Sequence, residues 1–424
     1  MKPETVSHRL AQLRKSGLGL RERSASDIAR VLAEVVDRWS SPESVWRQRL
    51  VSELTPLAGF NAGLMERGLE VGLSHWSGPA LQDLVHRELA NSQKTMVSGF
   101  QITAVLLAGS IPMPSLIGLV APLLLRSPVL AKSAARDPVT PRLVAESIAE
   151  VDEQLGDCID VVDFPGSDEA CVRALLAADC VVASGSDDTV ARVAELLHPY
   201  QRFVGYGHRT SVAVISEAAT RGAALETTAA ALSLDVCLWD QLGCLSPVAV
   251  FVVGSDADAK TRLAQALASA LARAEERWPR GDVDGSTAAT ISHERSEAEM
   301  RSAAGRSVEL WASTTTAWTV IAEEDPSLRP NPLHRFIRIH SVDDMSQLLS
   351  ALEPLGPHLA AVALEGFDLN SDEWTTAVAK LGASRICPVG RMQAPPLNWH
   401  HDNRGVLTPL ARFMDLELHT GKLS

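Results

Sequence analysis

The sequence predicts an α/β protein with a helical N-terminal region, and three observations carry that expectation. From about residue 100, short apolar runs alternate with helical patterns; a second alternating block follows Cys244; and before residue 90 the apolar positions recur at three- and four-residue steps. Such alternation implies crossover connections, hence mainly parallel strands covered by helices on both faces.

The N-terminal helices are expected over residues 4–15, 26–39 and 81–89. In the first alternating block the strands are 104–108, 129–132, 159–162, 180–183 and 211–215, with helices over 116–125, 142–151, 170–178 and 190–197. The second block reads as strand 248–253, helix 257–274, strands 318–322 and 336–339, helix 343–352, and strands 359–364 and 385–389. Residues 275–306 are rich in charge, Gly and Ser and read as a long surface excursion. Residues 394–403, with Pro395, Pro396, Trp399, His400, His401 and Asp402, are irregular and polar enough to line a cleft, or simply to dock the C-terminus.

A chain of 424 residues is long enough for two or three domains. Thirty-nine Lys and Arg against 52 Asp and Glu give a net charge of −13, which repels a phosphate backbone and argues against nucleic acid as partner. An anionic nucleotide remains compatible, because helix N-termini hold phosphates locally. No charge occurs between Thr95 and Leu125, long enough to span a bilayer, but Gly99, Gly109, Pro112, Pro114 and Pro122 break the run. A buried strand and helix account for it, and no membrane span is expected. The N-terminus carries charges throughout, unlike a signal peptide. The six cysteines show no CxxC pair and no metal-ligand spacing, so the expectation is reduced thiols in the cytoplasm and no metal site.

Asp240-Gln241-Leu242-Gly243-Cys244-Leu245-Ser246-Pro247 puts a cysteine after a glycine, just before an apolar strand. The glycine removes a side chain beside the sulfur and lets a substrate approach the backbone. An isolated cysteine of this kind is more often structural. Ser184-Gly185-Ser186 follows a strand and precedes a helix, where backbone donors and hydroxyls meet a pyrophosphate; the same residues also read as a plain N-cap, with Ser186 capping.

Four stretches in order, Leu107-Ala108-Gly109-Ser110-Ile111-Pro112, Ser184 to Val190, Tyr206-Gly207-His208-Arg209 and Asp240 to Pro247, resemble the acyl-CoA reductase family typified by the fatty-acid reductase of bacterial luminescence, a branch of the aldehyde dehydrogenase superfamily. A fifth, Cys387 to Gln393 through Trp399-His400-His401-Asp402, resembles that family's C-terminal signature. The resemblance covers about residues 100–415.

The resemblance implies an aldehyde dehydrogenase-like fold: a helical region (1–90), a Rossmann-like nicotinamide cofactor domain (91–238), a catalytic domain (239–393) and a C-terminal segment (394–424) docking near the cleft. It implies that Cys244 takes an acyl group from an acyl-CoA or acyl-carrier thioester, from an acyl-donating protein among other sources, and that hydride from NADPH, with NADH as the second choice, reduces it to an aldehyde. A thiolate exchanges one thioester for another at little cost. Lys132 matches the superfamily lysine at the adenosine ribose, Ser184, Gly185 and Ser186 the pyrophosphate site, and His208 an acid/base or orienting group, with a turn histidine as the alternative.

Two positions depart from the pattern. Gly205 stands where hydrolytic aldehyde dehydrogenases carry a water-activating glutamate, which favours exchange of the acyl group over its hydrolysis. Ser110 stands where the family usually has an oxyanion-binding asparagine. The rivals are an oxidative aldehyde dehydrogenase and a cysteine acyltransferase or thioesterase without nicotinamide; a homo-oligomer is left open.

Overall fold

The structure, a computed structural model, describes residues 1–89, 95–109, 111–368 and 372–416. Five helices come first: α1 (Pro3–Glu22), α2 (Ala25–Ser40), α3 (Val45–Ala58), α4 (Ala62–Gly72) and α5 (Gly78–Leu89). Ser24, Ser44 and Asn61 cap α2, α3 and α4 by accepting a backbone N–H in the first turn. After strand β1 (Thr95–Ser98) the chain alternates: β2 (Thr103–Leu106), α6 (Pro112–Leu124), β3 (Val129–Lys132), α7 (Thr140–Val151), the single turn α8 (Glu153–Gly156), β4 (Ile159–Val162), α9 (Glu169–Leu175), β5 (Cys180–Ser184), α10 (Asp187–Glu195) and β6 (Arg202–Tyr206).

Strands β2 to β6 form a five-stranded, all-parallel sheet in the order β4-β3-β2-β5-β6. Strand order reverses between β2 and β5, so the crevice outside their carboxyl ends is where such folds bind ligands. One face of this sheet packs on α6, α7 and the helices α2 to α5, and the other on α1, α9 and α10.

The second sheet is built from β7 (Thr210–Ser216), α11 (Gly222–Cys237), β8 (Pro247–Val253), α12 (Ala259–Arg277), α13 (Gly285–Ala303), β9 (Val308–Ala312), β10 (Thr319–Glu323), β11 (Phe336–Val342), α14 (Met345–Leu352), β12 (Leu359–Glu365), α15 (Asp372–Lys380) and β13 (Arg385–Pro388). Its order is β13-β12-β7-β8-β11-β10-β9, parallel except for the edge strand β9. A last strand, β14 (Arg412–Asp415), pairs antiparallel with β1.

Three expectations change. Strand β7 and α11 belong to the second sheet, so sheet membership divides the chain between Tyr206 and Thr210 rather than at residue 238. The two sheets are joined by only Gly207, His208 and Arg209. Residues 275–306 are not an irregular excursion: α13 occupies most of them, capped by Asp284, which accepts from Thr287 N, and anchored by the buried Ile291 and Ala298. Helices α3 and α4 fall where no element was expected. The charge-free stretch folds into β1, β2 and α6, and no helix among the described residues is long and apolar enough to cross a membrane.

Candidate active site

Cys244 is delivered by a strained turn. After α11, Trp239, Asp240 and Gln241 all take left-handed backbone angles, with φ of 57°, 47° and 65°. Left-handed non-glycine residues persist only when their surroundings over-determine them. Here Gln241 donates from Nε2 to Pro247 O and Phe336 O, each at 2.8 Å, and accepts from Phe336 N at 2.9 Å. Trp239 is wholly buried, edge-on to Phe60 and against Gly68 of α4. The helical region therefore props the turn from below. Beyond it, a Cβ at Gly243 would come within 2.9 Å of the Ile111 terminal methyl, so a larger residue beside the cysteine would have to displace that side chain. Ser211 Oγ donates to Cys244 O at 2.7 Å and ties the peptide to β7.

Cys244 is the one exposed cysteine; Cys158, Cys171, Cys180, Cys237 and Cys387 are buried. Its sulfur opens onto an internal cavity rather than bulk water, and desolvation, helped by the Asp402 charge, pushes the thiol to about 11. The amides of Cys244 and Leu245 and the Arg209 cation oppose that rise.

The cavity, about 1140 Å³ with its open mouth, is largely apolar. Helix α6 lines it with Pro114, Ile117, Gly118 and Ala121, the first sheet with Val105, Val182, Ser184 and Tyr206, and the segment after β13 with Gln393, Leu397, Trp399 and His401. No carboxylate among the described residues lines it. His401 is sandwiched between Tyr206 (centroids 4.8 Å apart, planes 7°) and Trp399 (4.9 Å, 28°). Its Nε2 lies 3.8 Å from Asp402 Oδ1. Arg209 grips Asp402 through Nε at 2.6 Å and Nη2 at 2.7 Å. Burial holds the His401 ring below its ordinary pKa, although Asp402 opposes this. Gln393 donates to Ser246 Oγ at 2.9 Å, which leaves its amide a second hydrogen.

Of the residues singled out from the sequence, Cys244 and Ser184 share the cavity. Ser110 lies outside the described residues. His208 is exposed in the link between the sheets; its N donates to Asp187 Oδ1 at 2.8 Å and its O accepts from His358 Nδ1 at 3.2 Å, and it does not line the cavity. His401 does, and the only sequence signal for it was the C-terminal tract containing it. Ser186 caps α10 by accepting from Thr189 N, and Gly185 N donates to Tyr206 O at 3.1 Å. Gly205 sits on the sheet face opposite Tyr206: a Cβ there would lie 2.6 Å from Val190 of α10 and 3.0 Å from the Phe203 ring, pointing away from the cavity.

The residues fit a nicotinamide nucleotide. Lys132 ends β3 beside the switch-point crevice with a half-buried ammonium, lying over Phe164 at 5.4 Å and donating to Ser133 O at 3.1 Å. Burial lowers its pKa against the pull of Asp163, and no carboxylate among the described residues is in ion-pair contact with it. It is a desolvated cation that an anionic ligand group would satisfy. Asp187, the acid nearest Ser184-Gly185-Ser186, is engaged by His208 N and stands 3.6 Å from the His358 ring. No group of three or more His, Cys, Asp or Glu among the described residues is placed to hold a metal.

The chain is similar to known proteins over nearly its whole length. Residues 20–414 match the family described as acyl-CoA reductase (LuxC). The long-chain acyl-protein thioester reductase of Aliivibrio fischeri is 22% identical over 412 residues, covering 92% of this chain and 82% of that protein. That of Vibrio harveyi is 23% identical over 415 residues, covering 94% and 84%. Among solved structures, the NAD-dependent aldehyde dehydrogenase from Sinorhizobium meliloti superposes with a TM-score of 0.74 at 12% identity, covering 100% of this chain and 88% of that one. The NAD-dependent benzaldehyde dehydrogenase from Corynebacterium glutamicum gives 0.71 at 14%, covering 98% and 91%. On a fold shared with the aldehyde dehydrogenases, this chain belongs to the acyl-CoA reductase (LuxC) family.

Proposed function

We propose that this protein reduces a long-chain acyl thioester, of coenzyme A or of an acylated protein, to an aldehyde, with Cys244 carrying the acyl group and NADPH as the reductant. The carrying observation is a cysteine open to an apolar cavity beside the switch point of a parallel sheet. An acyltransferase would need the thiol and the cavity alone; the desolvated Lys132 at the same crevice favours a nucleotide-dependent reaction.

A thiol at about 11 is ionised only about one part in 10⁴ at neutral pH, so it needs a base as the substrate arrives. His401 fills that role: it lines the cavity, burial favours its neutral form, and the stack of Tyr206 and Trp399 fixes its ring. The Cys244 proton passes to His401 and on to the departing thiolate of the donor, while the acyl carbon exchanges one C–S bond for another. The Cys244 amide, and the spare hydrogen of Gln393, stabilise the oxyanion of this step. A reduced nicotinamide, when bound, supplies the hydride that reduces the acyl carbonyl. The oxyanion left on the carbon then re-forms C=O and expels the Cys244 thiolate, which takes up a proton from solvent relayed through His401, since the original thiol proton has left with the donor thiol. No carboxylate among the described residues lines the cavity, which disfavours release of the acyl group to water.

The test is intact-mass analysis after incubation with tetradecanoyl-CoA without reductant, followed by separate chases with buffer, free thiol and NADPH. The expected result is one acyl group on Cys244, released as aldehyde by NADPH and only slowly by buffer. Release of free acid by buffer as fast as NADPH releases aldehyde would make the protein a thioesterase.

A further inference from the structure

The cavity runs along one face of α6. Pro114, Ile117, Gly118 and Ala121, spaced i, i+3, i+4 and i+7, line it, while Leu116, Leu119 and Leu123 face the core. From Pro114 to Ala121 that face rises about 10 Å at 1.5 Å per residue. Val105 on β2 and Val182 on β5 form another part of the wall.

Gly118 stands in mid-helix, where only proline is a poorer residue. Two other interior helical glycines are imposed by close neighbours: a Cβ at Gly17 of α1 would run into the Pro128 ring, and one at Gly68 of α4 would lie 2.5 Å from the Trp239 ring. Gly118 has no such neighbour. A Cβ there would rest 3.7 Å from both Leu107 and Val105, an ordinary contact. Packing does not demand glycine at this position, and the space that a larger side chain would fill belongs to the cavity.

We propose that Gly118 sets the longest acyl chain that the cavity accepts. This rests on the reading of Cys244 as the acyl carrier. With the carbonyl at Cys244, the distal methylenes of a long chain cross Gly118 and lie against Val105 and Val182, whereas a short chain ends before reaching it. A branched or long side chain at 118 closes the slot there and leaves the space next to the sulfur unchanged.

The experiment compares wild type, Gly118→Ala and Gly118→Leu in covalent loading of Cys244 by butanoyl-, octanoyl- and tetradecanoyl-CoA, measured by intact mass, with circular dichroism to verify the fold. Gly118→Leu is expected to cut tetradecanoyl loading far more than butanoyl loading, so that its tetradecanoyl-to-butanoyl ratio falls by about 10- to 200-fold, the discrimination that one methylene commands in an apolar pocket. Gly118→Ala, whose Cβ the structure accommodates, should fall between them. Should Gly118→Leu fail to fold, the Gly118→Val ratio decides the same point. An unchanged ratio, or a proportional loss for all three chains in a folded variant, overturns the proposal and leaves the acyl-cysteine intact. Failure of wild type to load any thioester overturns the acyl-cysteine reading itself.

Discussion

The carboxylate of Asp240 and the guanidinium of Arg335 form a buried pair, Oδ1 lying 2.7 Å from Nη2 and 2.9 Å from Nε, that joins two left-handed turns. One turn is Trp239 to Gln241. The other is Leu333, His334 and Arg335, with φ of 62°, 57° and 64°. Arg335 also reaches Glu275 at 2.8 Å, and Asp240 accepts from Gly281 N at 3.0 Å. The ion pair thus holds the backbone that presents Cys244. Removing one partner of a buried pair costs about 3–5 kcal/mol. Arg335→Met should lower the urea midpoint accordingly and slow acylation of Cys244. Arg335→Lys keeps the charge but lacks the fork and should recover only part of the loss. Denaturation curves alongside acyl loading check this; an Arg335→Met protein with wild-type stability would show that the turn holds itself.

Iodoacetamide should label Cys244 alone in the folded protein and all six cysteines after unfolding, since the other five thiols are buried. With the thiol pushed to about 11, the labelling rate should climb about tenfold per pH unit from neutrality, without a plateau below about pH 10. Peptide-mapped rates across pH measure it. A plateau near neutrality would mean that the resting enzyme already holds a thiolate and has no need of His401.

His401→Ala should lower the rate of acylation by about 10²–10⁴-fold, the usual worth of general-base assistance. His208→Ala should leave it nearly unchanged. The sign of the pH effect follows from the shift: burial holds His401 below its ordinary value, so the neutral, proton-accepting form persists to lower pH and activity fails only on the acid side, below the ordinary imidazole range. Single-turnover acylation against pH, in both variants, separates the two histidines.

Gly205→Glu should not turn the protein into an acid-forming enzyme. The new side chain would start 2.6 Å from Val190 and point toward α10, on the face away from Tyr206. The expected outcome is a less stable protein that releases no more free acid than wild type, read by thermal melting and by the products of the acyl-enzyme chase.

The alternating strands were legible because their signals are local. Val129–Lys132 and Ile159–Val162 are short, mostly apolar runs on a sheet covered on both faces, recognisable without reference to any distant partner. Helix α13 was illegible because it buries only Ile291 and Ala298, too few for an apolar stripe. Helix α4 was hidden by Gly63, Gly68 and Gly72, two of which are there for Trp239 and Met113, partners distant in sequence. The site divides the same way. Cys244 carries its own glycine and strand, whereas the grip of Arg209 on Asp402 joins residues 193 positions apart, and nothing local in the sequence marks it.

The link between the sheets gives the site a mechanical property. Tyr206 ends one sheet, Thr210 begins the other, and Arg209, between them, is clamped to the neighbour of His401, whose ring lies flat on Tyr206. The link and the ring proposed as proton acceptor are therefore tied together: residues 207–209 cannot shift without displacing Asp402, and with it the segment that carries His401.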